Sequence, residues 1–274
     1  MTSVCHSRRH RLAVMTLLLS FIGGHAATVH AADASGIADP EVRACVERAL
    51  PKQTVRQRVT LQVVDSTGTT RESIGNLHWK RFPDGLAKVL FIIEESSHYH
   101  GVGILMEERS KGEPNVFMYS PELGRDRRIS SAALAGPLLG TDFSYEDFAL
   151  LQHLAVTGDA RRVEDSEVDG HPTYVMETTP DEEISSYSKV ATYIDKTWCL
   201  PVKTQFYAHN GSLYKELSID REAVRQQGEL WVPFHSTMVN HKQASRTELL
   251  IDKLELDIAL EDGLFRPQRL RQGK

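Results

Sequence analysis

Over most of the chain, apolar and polar residues alternate with a period of two, the pattern of half-buried strands. Val59, Leu61 and Val63 are separated by Thr60 and Gln62. A second alternating run covers Thr70 to Phe82, turns at Pro83-Asp84-Gly85, and continues as Leu86–Glu94. Further strands are predicted over Val102–Arg109 and Val116–Tyr119. Later, Pro201–Ala208 and Leu213–Ile219 flank His209-Asn210-Gly211-Ser212, and Asn-Gly between alternating runs is a strong hairpin signal. Two long strands, Leu230–His241 and Arg246–Ile258, close the pattern and are expected to pair. The period changes to helical only twice. Asp39-Pro40 opens a segment with Val42, Cys45, Val46 and Ala49 on one face, stopped by Pro51. Ser130 to about Leu154 is the other helix-friendly stretch. The chain therefore reads as a mainly β protein with a few α-helices.

Several strands carry apolar residues on both faces. Leu249 and Ile251 run beside Leu250, Leu254 and Leu256, and Phe206 adjoins Tyr207. A sheet with one wet face alternates more cleanly. Either helices cover one face, or the sheet curls around an apolar interior.

The N-terminus follows different rules. Arg8, Arg9 and Arg11 precede an apolar run from Leu12 to Ile22, and small residues follow up to Val29-His30-Ala31. This is the three-part layout of a cleaved signal peptide, with cleavage expected after Ala31 and Ala26 or Ala27 as alternatives. The apolar run is 11 residues long, against the about 20 that a spanning helix needs. Residues 32–274 then form a single soluble domain in the periplasm. The whole chain has 274 residues and a formal charge of −5; losing the three leader arginines leaves −8. That balance excludes a general nucleic-acid binder, which would be basic. Cys45 and Cys199 remain in an oxidising compartment. They either pair or stay as two buried thiols.

The search for chemistry returns little. Phosphate-binding glycine loops, nucleophile elbows and zinc-protease motifs are missing from the sequence. His98-x-His100 places two imidazoles close together without a third ligand at a metal-site spacing. Glu94-Glu95 and Asp181-Glu182-Glu183 read as solvated turns or strand ends. Asp142, Glu146 and Asp147 lie beside Phe143 and Tyr145; helix capping by Asp142 or Ser144 explains them more simply than an acid/base pair. No catalysis and no cofactor are expected.

The central segment narrows the reading. Tyr119-Ser120-Pro121-Glu122-Leu123-Gly124-Arg125-Asp126-Arg127-Arg128-Ile129, followed by Leu139-Gly140-Thr141-Asp142-Phe143-Ser144-Tyr145-Glu146-Asp147, resembles the outer membrane lipoprotein-sorting proteins, relatives of the periplasmic carriers LolA and LolB. Trp79-Lys80, Asp84-Gly85, Lys88, Tyr193-Ile194-Asp195, Leu200-Pro201, Tyr207, Gly211, Lys215 and Thr247 (in the penultimate strand) fit the same family. Ser96–Gly103, with its histidines, departs from it. The resemblance implies one antiparallel, incompletely closed barrel of about 11 strands, with helices over the open side and an apolar interior for acyl chains of lipoproteins or other lipids. It also implies an inner-membrane exporter as donor and an outer-membrane acceptor. Cavity or lid candidates are Trp79, Phe91, Tyr119, Leu138, Leu139, Phe143, Tyr145, Phe148, Phe206, Trp231 and Phe234. Plain core packing is the competing role for each. Arg125, Arg127 and Arg128 are candidates for an acidic headgroup or partner, or for internal ion pairs. The rival functions are an envelope sensor or exporter-accessory protein binding lipids with the same barrel, and a secreted lipid or glycan hydrolase.

Overall fold

The computed structural model describes Met1, residues 37–154 and residues 158–272. The leader and its cleavage point after Ala31 lie outside the described residues. Helix α1 (Pro40–Ala49) precedes six strands: β1 (Thr54–Val64), β2 (Thr70–Arg81), β3 (Ala87–Ser96), β4 (Gly103–Glu107), β5 (Asn115–Ser120) and β6 (Arg125–Ile129). Helix α2 (Tyr145–Leu151) follows, then β7 (Asp159–Arg162), β8 (Ser166–Val168), β9 (His171–Thr179), β10 (Lys189–Asp195), β11 (Pro201–Tyr207) and β12 (Leu213–Ile219). The last strands are β13 (Val224–Gln227), β14 (Leu230–Pro233), β15 (His235–Asn240) and β16 (Ser245–Leu256), and two 3-10 turns cover Asp262–Phe265 and Pro267–Gln272.

Fourteen strands build one sheet in the order β6-β5-β4-β3-β2-β1-β16-β15-β12-β11-β10-β9-β7, with β8 also on β9; β13 and β14 pair separately. Every pairing between these strands is antiparallel, and the sheet ends at β6 and β7 without closing. The expected count of about 11 is therefore corrected to 14. The strands that sequence reasoning missed include β6 (Arg-Asp-Arg-Arg-Ile) and β7 (Asp-Ala-Arg-Arg), which are short and charged and have no apolar alternation to read, and also the longer β9 and β10. Thr247 lies in the last strand rather than the penultimate one. The expected strand 230–241 is split. Residues up to Pro233 turn onto β13, and only His235–Asn240 pairs with β16. The stretch 130–154 is α-helical only over Tyr145–Leu151, because Gly136, Pro137 and Gly140 interrupt the earlier part. Gly140 has φ +66°, and a Cβ there would meet Tyr99 Oη at 2.5 Å.

Both explanations for the doubly apolar strands turn out to operate. On β3, Val89, Phe91 and Ile93 face the main core with Leu77 and Trp79. Leu90 faces the other way, where Leu105, Phe265 and Leu270 form a second cluster. The C-terminal turns thus cover that outer face, with Phe82 and Phe265 edge to face at 5.7 Å. The β16 pattern has another cause. Val59 opposes Ile251 but Arg58 opposes Lys253, so Asp252 is the extra residue of a bulge. The bulge returns Leu254 and Leu256 to the face of Leu249 and Ile251, and all four line the interior.

Helix α1 is capped by Asp39, whose Oδ1 accepts from the backbone N–H of Glu41 and of Val42, each at 3.0 Å. Its buried face is joined to the β10–β11 turn by a Cys45–Cys199 disulfide with Cα atoms 5.2 Å apart.

Candidate functional site

The concave face of the sheet and α2 surround a cavity of about 370 Å³, within the size range of ligand pockets. Alternate residues of β1 (Val55, Gln57, Val59, Leu61) form one wall, and the Leu249-to-Leu256 row of β16 continues it. Aromatic side chains shape the rest. Phe91 and Phe148 have ring centroids 5.8 Å apart, and Tyr187 and Phe206 4.9 Å. The lining extends to Ala49 and Leu50 at the end of α1 and to Trp231 on the β13–β14 hairpin. Lys52 and Glu229 pair at 2.5 Å, joining the residues after α1 to the tip of that hairpin.

Of the sequence candidates, Trp79, Phe91, Leu138, Phe143, Tyr145, Phe148, Phe206 and Trp231 line this cavity. Tyr119 belongs to the outer cluster beneath the C-terminal turns. Leu139 lines a separate small recess beside Tyr99. Phe234 is part-buried beside the hairpin and absent from the lining. Arg125, Arg127 and Arg128 are exposed on β6, also outside the lining. The residues missed by inspection are the β1 and β16 rows; the step of three from Ile251 to Leu254 was the available signal for the bulge.

The segment carrying the lid candidates Phe143, Tyr145 and Phe148 is fastened at Asp142 and again at Glu146 and Asp147. The Asp142 carboxylate accepts from Ser245 Oγ at 2.5 Å and Thr247 Oγ1 at 2.7 Å, so Asp142 is tied to β16 while Ser144 caps α2. Ser144 and Asp147 form a reciprocal capping box. Asp147 also holds Lys215 Nζ at 2.8 Å and Tyr187 Oη at 2.7 Å, and the Lys215 and Asp147 side chains are 6% and 0% exposed. Next to it, Glu146 bonds Ser185 Oγ through Oε1, while its buried Oε2 has no partner among the described residues. Burial pushes the Glu146 carboxyl above its ordinary range. Burial, reinforced by the Asp147 charge, keeps the Tyr187 hydroxyl protonated. At the end of α2, burial lowers His153 to about 4, so the ring is neutral at physiological pH.

Ser185 Oγ is engaged by Glu146, and the His209 ring approaches the Ser185 carbonyl at 3.2 Å rather than its hydroxyl. His98 and His100 are both exposed, and His100 Nδ1 sits 2.5 Å from the Glu94 carbonyl. Arg58 pairs with Glu94 at 2.9 Å and Glu95 at 2.6 Å, so that acidic pair is half of a surface ion cluster. No helix among the described residues is long and apolar enough to cross a membrane.

A family model described as "-like: Uncharacterized protein" matches residues 85–272. The chain belongs to that family. No curated protein matches it. Among solved structures, an outer membrane lipoprotein-sorting protein domain from Vibrio parahaemolyticus is similar at TM-score 0.77 and 23% identity, over 84% of this chain and 97% of that one. A DUF1329 family protein from Desulfovibrio piger gives TM-score 0.74 and 20% identity, over 84% and 99%. A LolA superfamily protein from Nitrosomonas europaea gives 0.64 and 19%, over 82% and 97%. The fold is LolA-like: mainly β, with an antiparallel sheet left open.

Proposed function

We propose that the protein is an exported periplasmic carrier that holds acyl chains of lipoproteins or other lipids in the sheet cavity, without catalysis. It would receive them from an inner-membrane exporter and release them to an outer-membrane acceptor. The observation carrying this reading is the apolar cavity of about 370 Å³ between the curled sheet and α2. Polar groups around it are largely spent on internal bonds, and apolar cavities of this kind stay dry and accept hydrocarbon. The lipoprotein-sorting relative from Vibrio parahaemolyticus, with the same fold, supports the cargo class. The energetics suit hand-over. Each methylene removed from water contributes about 0.8 kcal/mol, so about ten of them correspond to roughly micromolar binding, which is reversible. The Asp142, Glu146 and Asp147 anchors make segment 140–151 a fixed wall, and access is assigned to the side between α1 and the β13–β14 hairpin.

Titration with a fluorescent fatty-acyl probe tests this. Wild type should saturate. Leu254→Glu, on the lining but only part-buried, should weaken binding by about 100-fold or more, because an unpaired carboxylate in an apolar site costs several kcal/mol. Leu123→Glu, at an exposed residue outside the lining, should change nothing. Folded wild-type protein that takes up no acyl probe would falsify the carrier reading.

A further inference from the structure

The two ends of the open sheet are finished differently. At β7, Ile37 forms a parallel bridge to Ala160. The Arg162 guanidinium there is held by Glu41 at 2.7 Å and Asp165 at 2.8 Å. At β6, pairing exists on one side only, to β5. No other described residue hydrogen-bonds to the backbone of Arg125–Ile129 from the outer side. An unpaired row of N–H and C=O groups is a template for another strand.

The side chains on this edge are equally specific. Ile129 faces the core opposite Val116, so the period of two puts Arg127 (opposite Met118) and Arg125 (opposite Ser120) on the same face. Both are exposed and make no hydrogen bond or ion pair with a described residue. On the other face, Arg128 donates to Asn115 Oδ1 at 2.7 Å, and the acid between the arginines, Asp126, is neutralised by Arg271 Nε at 2.6 Å. The edge is therefore cationic on a protein whose overall charge is negative.

Charges on an edge strand ordinarily blunt it against aggregation. Charges of one sign do so selectively: they repel a second copy of the same edge and attract a strand of opposite sign. We propose that β6 is a docking edge for an extended acidic segment of a partner protein, which adds as a strand and places carboxylates at alternate positions opposite Arg125 and Arg127. Cross-strand ion pairs then set the register, and the backbone bonds supply a sequence-independent share of affinity. A flat anionic membrane fits less well, because Arg128 points to the opposite face from Arg125 and Arg127 and the three cannot meet one plane together. This inference does not depend on what fills the cavity, since none of the three arginines lines it.

The test uses a labelled peptide, Thr-Glu-Val-Glu-Val-Glu-Thr with blocked ends, followed by fluorescence anisotropy at low salt. Saturable binding is expected, weakened about tenfold or more by Arg125→Glu with Arg127→Glu, and less by Arg127→Gln. The charge-reversed protein should instead prefer the Lys-for-Glu peptide. A peptide with proline in place of both valines should bind poorly, because proline cannot donate to the ladder. Hydrogen exchange at Arg125–Ile129 should slow with the acidic peptide. The acyl-probe titration should be unchanged in every variant, which shows that the fold is intact and separates this test from that of the carrier reading. Equal binding of the acidic and Lys peptides, or of the proline peptide, overturns strand addition. So does Arg-dependent binding of phosphatidylglycerol vesicles without any peptide binding.

Discussion

Replacing Lys215 by Met asks how firmly α2 is held. The substitution keeps the length of the side chain and removes its charge, leaving Asp147 buried without its cation. The pair is 2.8 Å apart with side chains 6% and 0% exposed, and removing one partner of such a pair costs about 3–5 kcal/mol. Asp147 keeps the Tyr187 hydroxyl at 2.7 Å and the Ser144 N–H at 2.8 Å, so the lower figure, about 3 kcal/mol, is expected. That corresponds to a Tm drop of about 6–12 °C for a domain of this size. Urea unfolding followed by circular dichroism measures it, in a cycle with Asp147→Asn. The double variant should recover about 1 kcal/mol or more relative to additivity, because neither charge is then stranded. A single-variant cost below about 1 kcal/mol, the range of an exposed pair, refutes the anchoring argument. The rate of acyl-probe entry gives a second readout. A fixed wall leaves it unchanged in Lys215→Met, whereas a gate at α2 would open faster.

Three further outcomes are expected. His153 has its folded-state pKa lowered by burial to about 4; its contribution is therefore complete above the ordinary value near 6.5 and is lost as pH falls through 4. This loss is about 3 kcal/mol at most. His153→Asn, which tolerates the φ of +55° at this position, should flatten stability over that window; an unchanged pH profile refutes the assignment. Intact-mass analysis of exported protein should give a chain beginning at Ala32 and lighter by two hydrogens for the Cys45–Cys199 bond. A full-length chain or two alkylatable thiols refutes the corresponding half. Reducing that bond, which spans 154 residues, should cost about 5 kcal/mol in the entropic account.

Local order was legible because it rests on local rules. The Asn210-Gly211 turn joins β11 to β12 as expected, with Gly211 at φ +79°, and Asp39 and Pro40 open α1 as their residue types dictate. The long alternating runs became β1, β2 and β3 with ends shifted by a few residues. What tertiary structure decided were the properties set by partners far along the chain. β1 pairs with β16, and the bulge at Asp252 exists only within that pairing; without it, Leu254 and Leu256 read as the wrong face. Tyr119 and Tyr145 are equivalent as aromatic residues in a sequence. One lies beneath the C-terminal turns and the other faces the cavity, because β5 carries Tyr119 on its outer side while α2 holds Tyr145 over the inner one. Lys215 and Asp142 look like surface residues and are buried, since each meets an opposite charge or hydroxyl group some 70 to 105 residues away. The charged strand β6 carries no hydrophobic period at all. It is a strand because β5 offers it a ladder, and it remains an edge because no described strand pairs with its other side.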